Sequence, residues 1–172
     1  MLYQPHPIIF HLLKTVLLSA ISISLGVELQ DLRSRIRSFS APKGRCFVKQ
    51  IKDITVIDDT YNANPESVKK AIDFLSNSNK RKVFIMGDML ELGRYRKKMH
   101  ADVGRYARRK KVDVFLGFGE LTKYAVSGYG KNGLFFNNEN HLKKFIKENI
   151  KSGDIVLIKG SRGMKMERFI NV

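Results

Sequence analysis

The chain has a single cysteine, four prolines and half as many acidic residues as basic ones. The lone Cys46 excludes an intramolecular disulfide and any cage of thiolate ligands for zinc, as expected of a chain from a reducing compartment; its ordinary role is that of a small, half-buried side chain. Thirteen glycines and four prolines in 172 residues are too few for a disordered chain, and an apolar content of 43% is enough for a packed core. No stretch matches Gly-x-x-x-x-Gly-Lys-Ser/Thr, so the usual cradle for the β and γ phosphates of a nucleotide is missing. The apolar stretch Ile8 to Leu29 lacks the marks of a signal peptide or membrane span. Met1 to Pro7 carries no Lys or Arg, His11 and Lys14 interrupt the stretch, and Ser19, Ser22 and Ser24 lower its hydrophobicity. It reads as a packed helix ending at Gly26, followed by a second helix from about Glu28 to Phe39 with Leu29, Leu32 and Ile36 at helical spacing.

Positive charge, by contrast, is abundant: a net +16 and a pI near 10.1. Such a balance raises nucleic acid or an anionic membrane as partners. Along the sequence, however, the cations are spread over many segments (Lys49, Lys69, Lys97, Lys123, Lys143, Lys165) and no basic stripe interleaved with aromatics is evident. The expectation is a solvated cationic surface with some affinity for anionic substrates and no specific nucleic-acid partner.

The length suits one ordinary domain with about thirty to forty residues left over. A boundary falls at Ser40-Ala41-Pro42-Lys43-Gly44-Arg45, where Pro42 and Gly44 break the helical pattern. Residues 1–41 are expected to be helical and residues 42–172 to form the main domain. In the latter, Thr55-Val56-Ile57, Val83 to Met86, Val112 to Leu116 and Ile155 to Ile158 read as buried strands, with a weaker one at Leu134-Phe135-Phe136. Helical patterns lie between them, at Pro65 to Leu75, Arg96 to Lys110, Leu121 to Val126 and Glu139 to Ile150, with a short one at Met164 to Ile170. This alternation predicts an α/β fold: a Rossmann-like, mostly parallel sheet with helices on both faces.

In such folds ligands bind beyond the carboxyl ends of the strands. The loop Asp58 to Pro65 stands at one such end, with Asn64 placed to cap the next helix and Pro65 to open it. Those two residues need no functional reason; the adjacent carboxylates Asp58 and Asp59 require hydrogen bonds, water or a cation such as Arg45. Gly87-Asp88-Met89-Leu90-Glu91-Leu92-Gly93 is a second acidic loop, followed by His100, a histidine better explained as structural than as a zinc ligand. Lys159-Gly160-Ser161-Arg162-Gly163 follows the most apolar strand and offers cations and amides to a carboxylate or phosphate. Gly117-Phe118-Gly119 reads as a turn.

Taken together, Pro42-Lys43-Gly44-Arg45, Asp58-Asp59-Thr60-Tyr61-Asn62-Ala63-Asn64-Pro65, the Gly87 to Gly93 loop, His100 and Lys159 to Arg162 resemble the Mur ligases of cell-wall synthesis. The order and spacing are closest to the branch that adds D-Ala-D-Ala, from about Ser19 onward. The resemblance implies a cytoplasmic, ATP- and Mg2+-dependent enzyme of three domains. It activates the peptide carboxylate of UDP-MurNAc-tripeptide as an acyl phosphate, which the amine of D-Ala-D-Ala attacks. On this reading residues 1–41 are the last helices of the central domain and 42–172 the C-terminal domain, and the phosphate loop and Mg2+ ligands lie outside the chain. The resemblance implies Arg45 near the ATP phosphates and ribose, Asp59 on the ribose, and Tyr61, Asn62 and Asn64 on the adenine side. It implies Lys159, Ser161 and Arg162 for the carboxylate of D-Ala-D-Ala; Asp58, Asp88, Glu91 and His100 belong to the motifs without an assigned role. The chain is then expected to be inactive alone, either as the product of a truncated reading frame or as one part of a split enzyme whose other domains a second chain supplies, with a basic nucleic-acid-binding module or a non-functional remnant as the alternatives.

Overall fold

The computed structural model describes residues 7–38 and 42–171. The chain divides into two compact units, 1–40 and 41–172. In the first, α1 (Pro7–Ser24) ends where Gly26 turns left-handed at φ 86°. The Val27 amide reaches Ser22 O and that of Gly26 reaches Ile23 O, satisfying two carbonyls the helix would leave bare. Helix α2 (Leu29–Ser38) places Asp31 in its first turn and Arg35 and Arg37 in its last, each matched to the helix dipole. No helix among the described residues is long and apolar enough to cross a membrane.

The second unit runs β1 (Phe47–Ile51), β2 (Ile54–Asp59), α3 (Pro65–Ser76), β3 (Lys82–Gly87), α4 (Arg96–Arg109), β4 (Val114–Phe118), α5 (Thr122–Tyr129), β5 (Gly133–Phe136), α6 (Glu139–Asn149) and β6 (Ile155–Lys159). Two 3₁₀ turns follow, Arg162–Met164 and Met166–Phe169. The strands lie in the order β1-β2-β6-β3-β4-β5, with β1 antiparallel to β2 and every other pair parallel. The fold is the expected α/β arrangement. Strand-to-strand crossovers are right-handed, so the direction of travel across the sheet decides which face each helix covers. From β2 to β5 the chain moves one way and packs α3, α4 and α5 on one face, over Ile57, Phe84, Met86, Phe115 and Leu157. Returning to fill the slot between β2 and β3, it lays α6 and the final 3₁₀ turns on the other face, over Val56, Val83, Ile85, Val156 and Ile158. Strands covered on both sides carry unbroken apolar runs, the signal that marks them in the sequence.

Differences from the sequence expectation are local. Strand β1 went unforeseen: the adjacent Lys49 and Gln50 break its apolar run without giving an alternating pattern, and the two-residue Lys52-Asp53 turn lacks the usual Asn-Gly signal, although Lys52 adopts the left-handed conformation at φ 52°. Gly117 and Phe118 belong to β4, and only Gly119 turns, at φ 111°. The expected helix Met164 to Ile170 is two 3₁₀ turns, broken at Lys165 with φ 48°. Helix α3 starts as anticipated: the Asn64 side chain accepts from Ser67 N at 2.8 Å and Ser67 Oγ accepts from Asn64 N at 3.1 Å.

Helices α4 and α5 cross at glycines. A Cβ on Gly104 would lie 1.8 Å from Ala125 O, whereas one on Gly153 would meet nothing. Gly104→Ala is therefore expected to lower unfolding free energy by about 3 kcal/mol, the upper end of overpacking costs. Gly153→Ala should cost about 1 kcal/mol, from its left-handed backbone alone. Urea unfolding of the two variants measures the difference.

Candidate functional site

Because β2, β6, β3 and β4 are parallel neighbours, the loops that leave their carboxyl ends line up along one edge of the sheet. All the motif loops named above meet there. The adjacent carboxylates Asp58 and Asp59 sit at the end of β2 and, by strand alternation, point to opposite faces. Asp58 is buried; Oδ2 accepts from Gly44 N at 3.1 Å, and Oδ1 accepts from Thr60 N at 3.2 Å and Thr60 Oγ1 at 2.7 Å. With Tyr61 N donating to Gly44 O at 2.9 Å, this clasps the connector before β1 against the β2 loop. Gly44 holds φ 80°, and a Cβ there would press on Tyr61 N at 3.2 Å.

Asp59 is matched by Lys159, its direct partner in the β2–β6 register. Lys159 Nζ lies 2.5 Å from Asp59 Oδ2 and also donates to Asn62 O at 2.9 Å, with only 3% of its side chain exposed. The other oxygen of Asp59 accepts from Cys46 N at 3.0 Å. The countercharge of Asp59 is thus Lys159. Arg45, the cation considered from sequence, instead lies over the half-exposed Tyr61 ring, 4.0 Å from its centroid. Cys46 is exposed rather than half-buried, yet partial burial of its thiol, and next the Asp59 carboxylate, push it up to about 11, so it stays protonated at neutral pH.

Ser161 ties three loops together. Its Oγ accepts from Leu90 N at 2.8 Å and donates to Ala63 O at 3.3 Å, while its own amide donates to Asp88 O at 3.0 Å. Asp88 caps α5 from outside that helix: Oδ1 accepts from Leu121 N at 3.0 Å and Thr122 N at 2.9 Å. His100 is fully buried; Nδ1 lies 2.7 Å from Arg96 O and Nε2 accepts from Met89 N at 3.0 Å, which fixes a neutral ring protonated on Nδ1. Burial pushes its pKa below 6.5. The same cause holds the Asp88 carboxyl above its ordinary range, against the backbone amides that accompany it. Gly87 and Gly160 let the strand ends approach over Met166, whose sulfur would lie 2.6 Å from a Cβ on Gly87.

The structure brings Asp59, Asn62 and Lys159 together, and Arg45 with Tyr61. Asn62 turns its side-chain oxygen to Ala63 N at 2.8 Å, and Asn64 is committed to its helix cap. Arg162 is exposed and reaches Glu167 at 3.4 Å, and Glu91 sits exposed at φ 65° in the loop after β3. Sequence reasoning missed the cation-lined cavity of about 410 Å³ between the connector and the final turns, walled by Lys43, Phe47, Lys49, Tyr61, Arg162 and Glu167. Two of its walls come from the unforeseen β1, so no linear signal announced it.

The profile of the Mur ligase glutamate ligase domain matches residues 44–162. The chain belongs to the Mur ligase family. Among curated members of this family, the UDP-N-acetylmuramoyl-tripeptide--D-alanyl-D-alanine ligase of Haemophilus influenzae is 32% identical over 88% of the chain and 34% of its own length. That of Escherichia coli is 30% identical over 88% of the chain and 34% of its length. The MurF ligase of Thermotoga maritima, solved in complex with ADP, superposes with a TM-score of 0.75 at 28% identity, over 88% of the chain and 34% of that structure. One MurF structure from Acinetobacter baumannii gives a TM-score of 0.76 at 31% identity, over 88% and 34%. The chain spans about a third of the length of these Mur ligase relatives.

The Tyr61 face with its guanidinium, the carboxylate of Asp59 and the cations around them are groups that fit a nucleoside with its phosphates. Among the described residues, no group of three or more His, Cys, Asp or Glu is placed to hold a metal ion.

Removing one member of a buried ion pair strands the other, so Asp59→Asn is expected to lower unfolding free energy by about 3 kcal/mol in chemical denaturation; a loss well under half of that would show that Lys159 finds other partners. For His100 the sign is set by its depressed pKa. The unfolded chain takes up the proton first, so stability holds above 6.5 and falls as the pH drops from there toward the lower folded value. The stability gap between the wild type and His100→Gln should accordingly shrink between about pH 7.5 and about pH 5 in urea titrations. A gap independent of pH would show that His100 titrates alike in both states.

Proposed function

We propose that this chain provides the nucleotide-side and acceptor-side contacts of an ATP-dependent ligase joining D-Ala-D-Ala to UDP-MurNAc-tripeptide in the cytoplasmic stage of peptidoglycan synthesis. The observation that carries the proposal is the convergence of the β2, β6 and β3 loops on one edge, stitched by Ser161, in a chain about 30% identical to ligases of that name. On this reading ATP, when bound, supplies the phosphoryl group that activates the tripeptide carboxylate. Arg45 contributes a fixed positive charge beside the phosphates, Tyr61 an aromatic face, and Asn62 and Asn64 the neighbouring polar surface. Asp59, already oriented by Lys159 and Cys46 N, is left to accept from the ribose hydroxyls.

On the acceptor side the exposed Arg162 meets the carboxylate of D-Ala-D-Ala, and Ser161, whose hydroxyl and amide already donate to Ala63 O and Asp88 O, holds the loops around it. Lys159 acts there through Asp59 and Asn62 O, because its ammonium is committed to both. Asp88 and His100 hold the β3 loop and α5 in place around Ser161 and Leu90. Mg2+ would be held by the phosphates and by groups outside these 172 residues. The relatives named above are all peptidoglycan ligases, which lends the nucleic-acid-module reading no support.

Positioning and charge stabilisation supply most of phosphoryl-transfer catalysis, and a chain without a phosphate loop lacks the means. The 172-residue polypeptide with ATP, Mg2+ and both substrates is expected to release no phosphate in response to D-Ala-D-Ala. Adding a polypeptide that carries the phosphate loop should restore it, and Arg45→Ala should then raise the KM for ATP about tenfold, the loss of one charge-assisted contact. Release by the chain alone, or restored release indifferent to D-Ala-D-Ala, would overturn the proposal.

A further inference from the structure

Half of the chain's net charge is concentrated in about a tenth of its length. Between Arg94 and Lys111, on and around α4, there are nine Lys and Arg against one acid, Asp102. The helix buries His100, Val103, Gly104 and Ala107 and so turns its other face outward. On that outer face, at helical spacing, stand the exposed cations Lys98, Arg105 and Arg109, with the exposed Arg94 in the 3₁₀ turn Gly93–Tyr95 just ahead of the helix. Only Arg105 among these four has a carboxylate partner among the described residues, Asp102. Arg105 and Arg109, one turn apart, repel each other, an arrangement that costs helix stability and gains nothing from within the fold.

Aromatic rings lie along this face, and its own cations occupy them. Arg94 stands over Tyr95 at 4.7 Å, Lys97 over Tyr124 at 5.4 Å, and Arg109 and Lys110 over Tyr106 at 5.5 and 5.4 Å. Each of these rings already has a cation over one face, which leaves less aromatic surface for a nucleic-acid base to stack on. The face is also a convex helix surface rather than a groove that would track a single strand. Tyr95, half exposed at the start of α4, adds an amphipathic ring of the sort that settles at a lipid headgroup layer.

We propose that the outer face of α4 docks on an anionic phospholipid surface, a peripheral attachment separate from the ligase chemistry proposed above. The observation that carries it is the exposed Arg94–Lys98–Arg105–Arg109 stripe, of which only Arg105 has a carboxylate partner among the described residues, with its cation-covered tyrosines. Each surface cation adds to the attraction of a negatively charged bilayer, and the effect fades with salt over the Debye length.

The test is flotation of the full chain with vesicles of phosphatidylglycerol and phosphatidylcholine against vesicles of phosphatidylcholine alone. The expected result is binding to the anionic vesicles at about 0.1 M salt that is lost by about 0.5 M. The triple reversal Lys98→Glu, Arg105→Glu, Arg109→Glu should weaken that binding at least roughly tenfold, given the contribution of each surface cation. A charge-matched reversal elsewhere, at the exposed Lys52, Lys131 and Lys151, should change it less than about twofold on the same basis. Equal binding to neutral vesicles would assign the attachment to the exposed apolar residues of α1, such as Leu17 and Leu18, and overturn the proposal. So would equal losses in the two triple variants, which would make net charge the cause. Displacement of the vesicles by single-stranded RNA with tighter, stripe-dependent binding would show the partner to be nucleic acid and overturn it as well.

Discussion

The buried pairing of Asp59 with Lys159 is the constraint on which the candidate site depends. The two residues are 100 positions apart in sequence and face each other across β2 and β6 at the centre of the sheet. A buried charge must be answered, and here one ammonium answers both a carboxylate and the Asn62 carbonyl. That fixes the path of the β2 loop, which in turn sets Ala63 against Ser161 and Tyr61 against Arg45. The same carboxylate holds Cys46 N, and its neighbour Asp58 holds Gly44 N, so the segment entering the domain is anchored to the strand end. Two adjacent acids therefore both hold the connector, and Asp59 alone also reaches across to β6.

Much of this was legible in the sequence, for reasons that can be named. Strands β2, β3, β4 and β6 are covered on both faces, so each needs an unbroken apolar run, and such runs stand out. The Asn64-Pro65 start of α3 was visible because capping depends on one side chain and one fixed φ, both local. Strand β1 was not visible, because an edge strand can place Lys49 on its half-buried face and leave Val48 exposed, so neither face shows a consistent apolar pattern. The loop order along the edge was beyond reach too, since β6 takes its place between β2 and β3 only in three dimensions.

Charge misled most. Lys159 looked like a cation offered to a ligand, whereas cross-strand pairing commits it to Asp59. Arg45 looked like the partner of the acids and instead covers a tyrosine. The lysines and arginines looked evenly spread, yet the helix α4 gathers a large share onto one outward face. The common reason is that a charged residue's meaning depends on its nearest opposite charge or ring, and those neighbours are often far away in sequence.

The position of β6 also bears on how the domain comes into being. Strands β2 and β3 leave a gap between them that only the sixth strand can fill, and that strand is the last of the six in chain order. Until it emerges, each neighbour presents one unpaired edge to the gap and a long apolar row, the kind of surface that invites pairing with other chains. Contacts between distant parts of a chain are slow to form because the intervening loop must first be closed. The sheet thus assembles around its final insertion, and a nascent domain halted before Ile155 would be a collection of sticky half-sheets rather than a smaller stable fold.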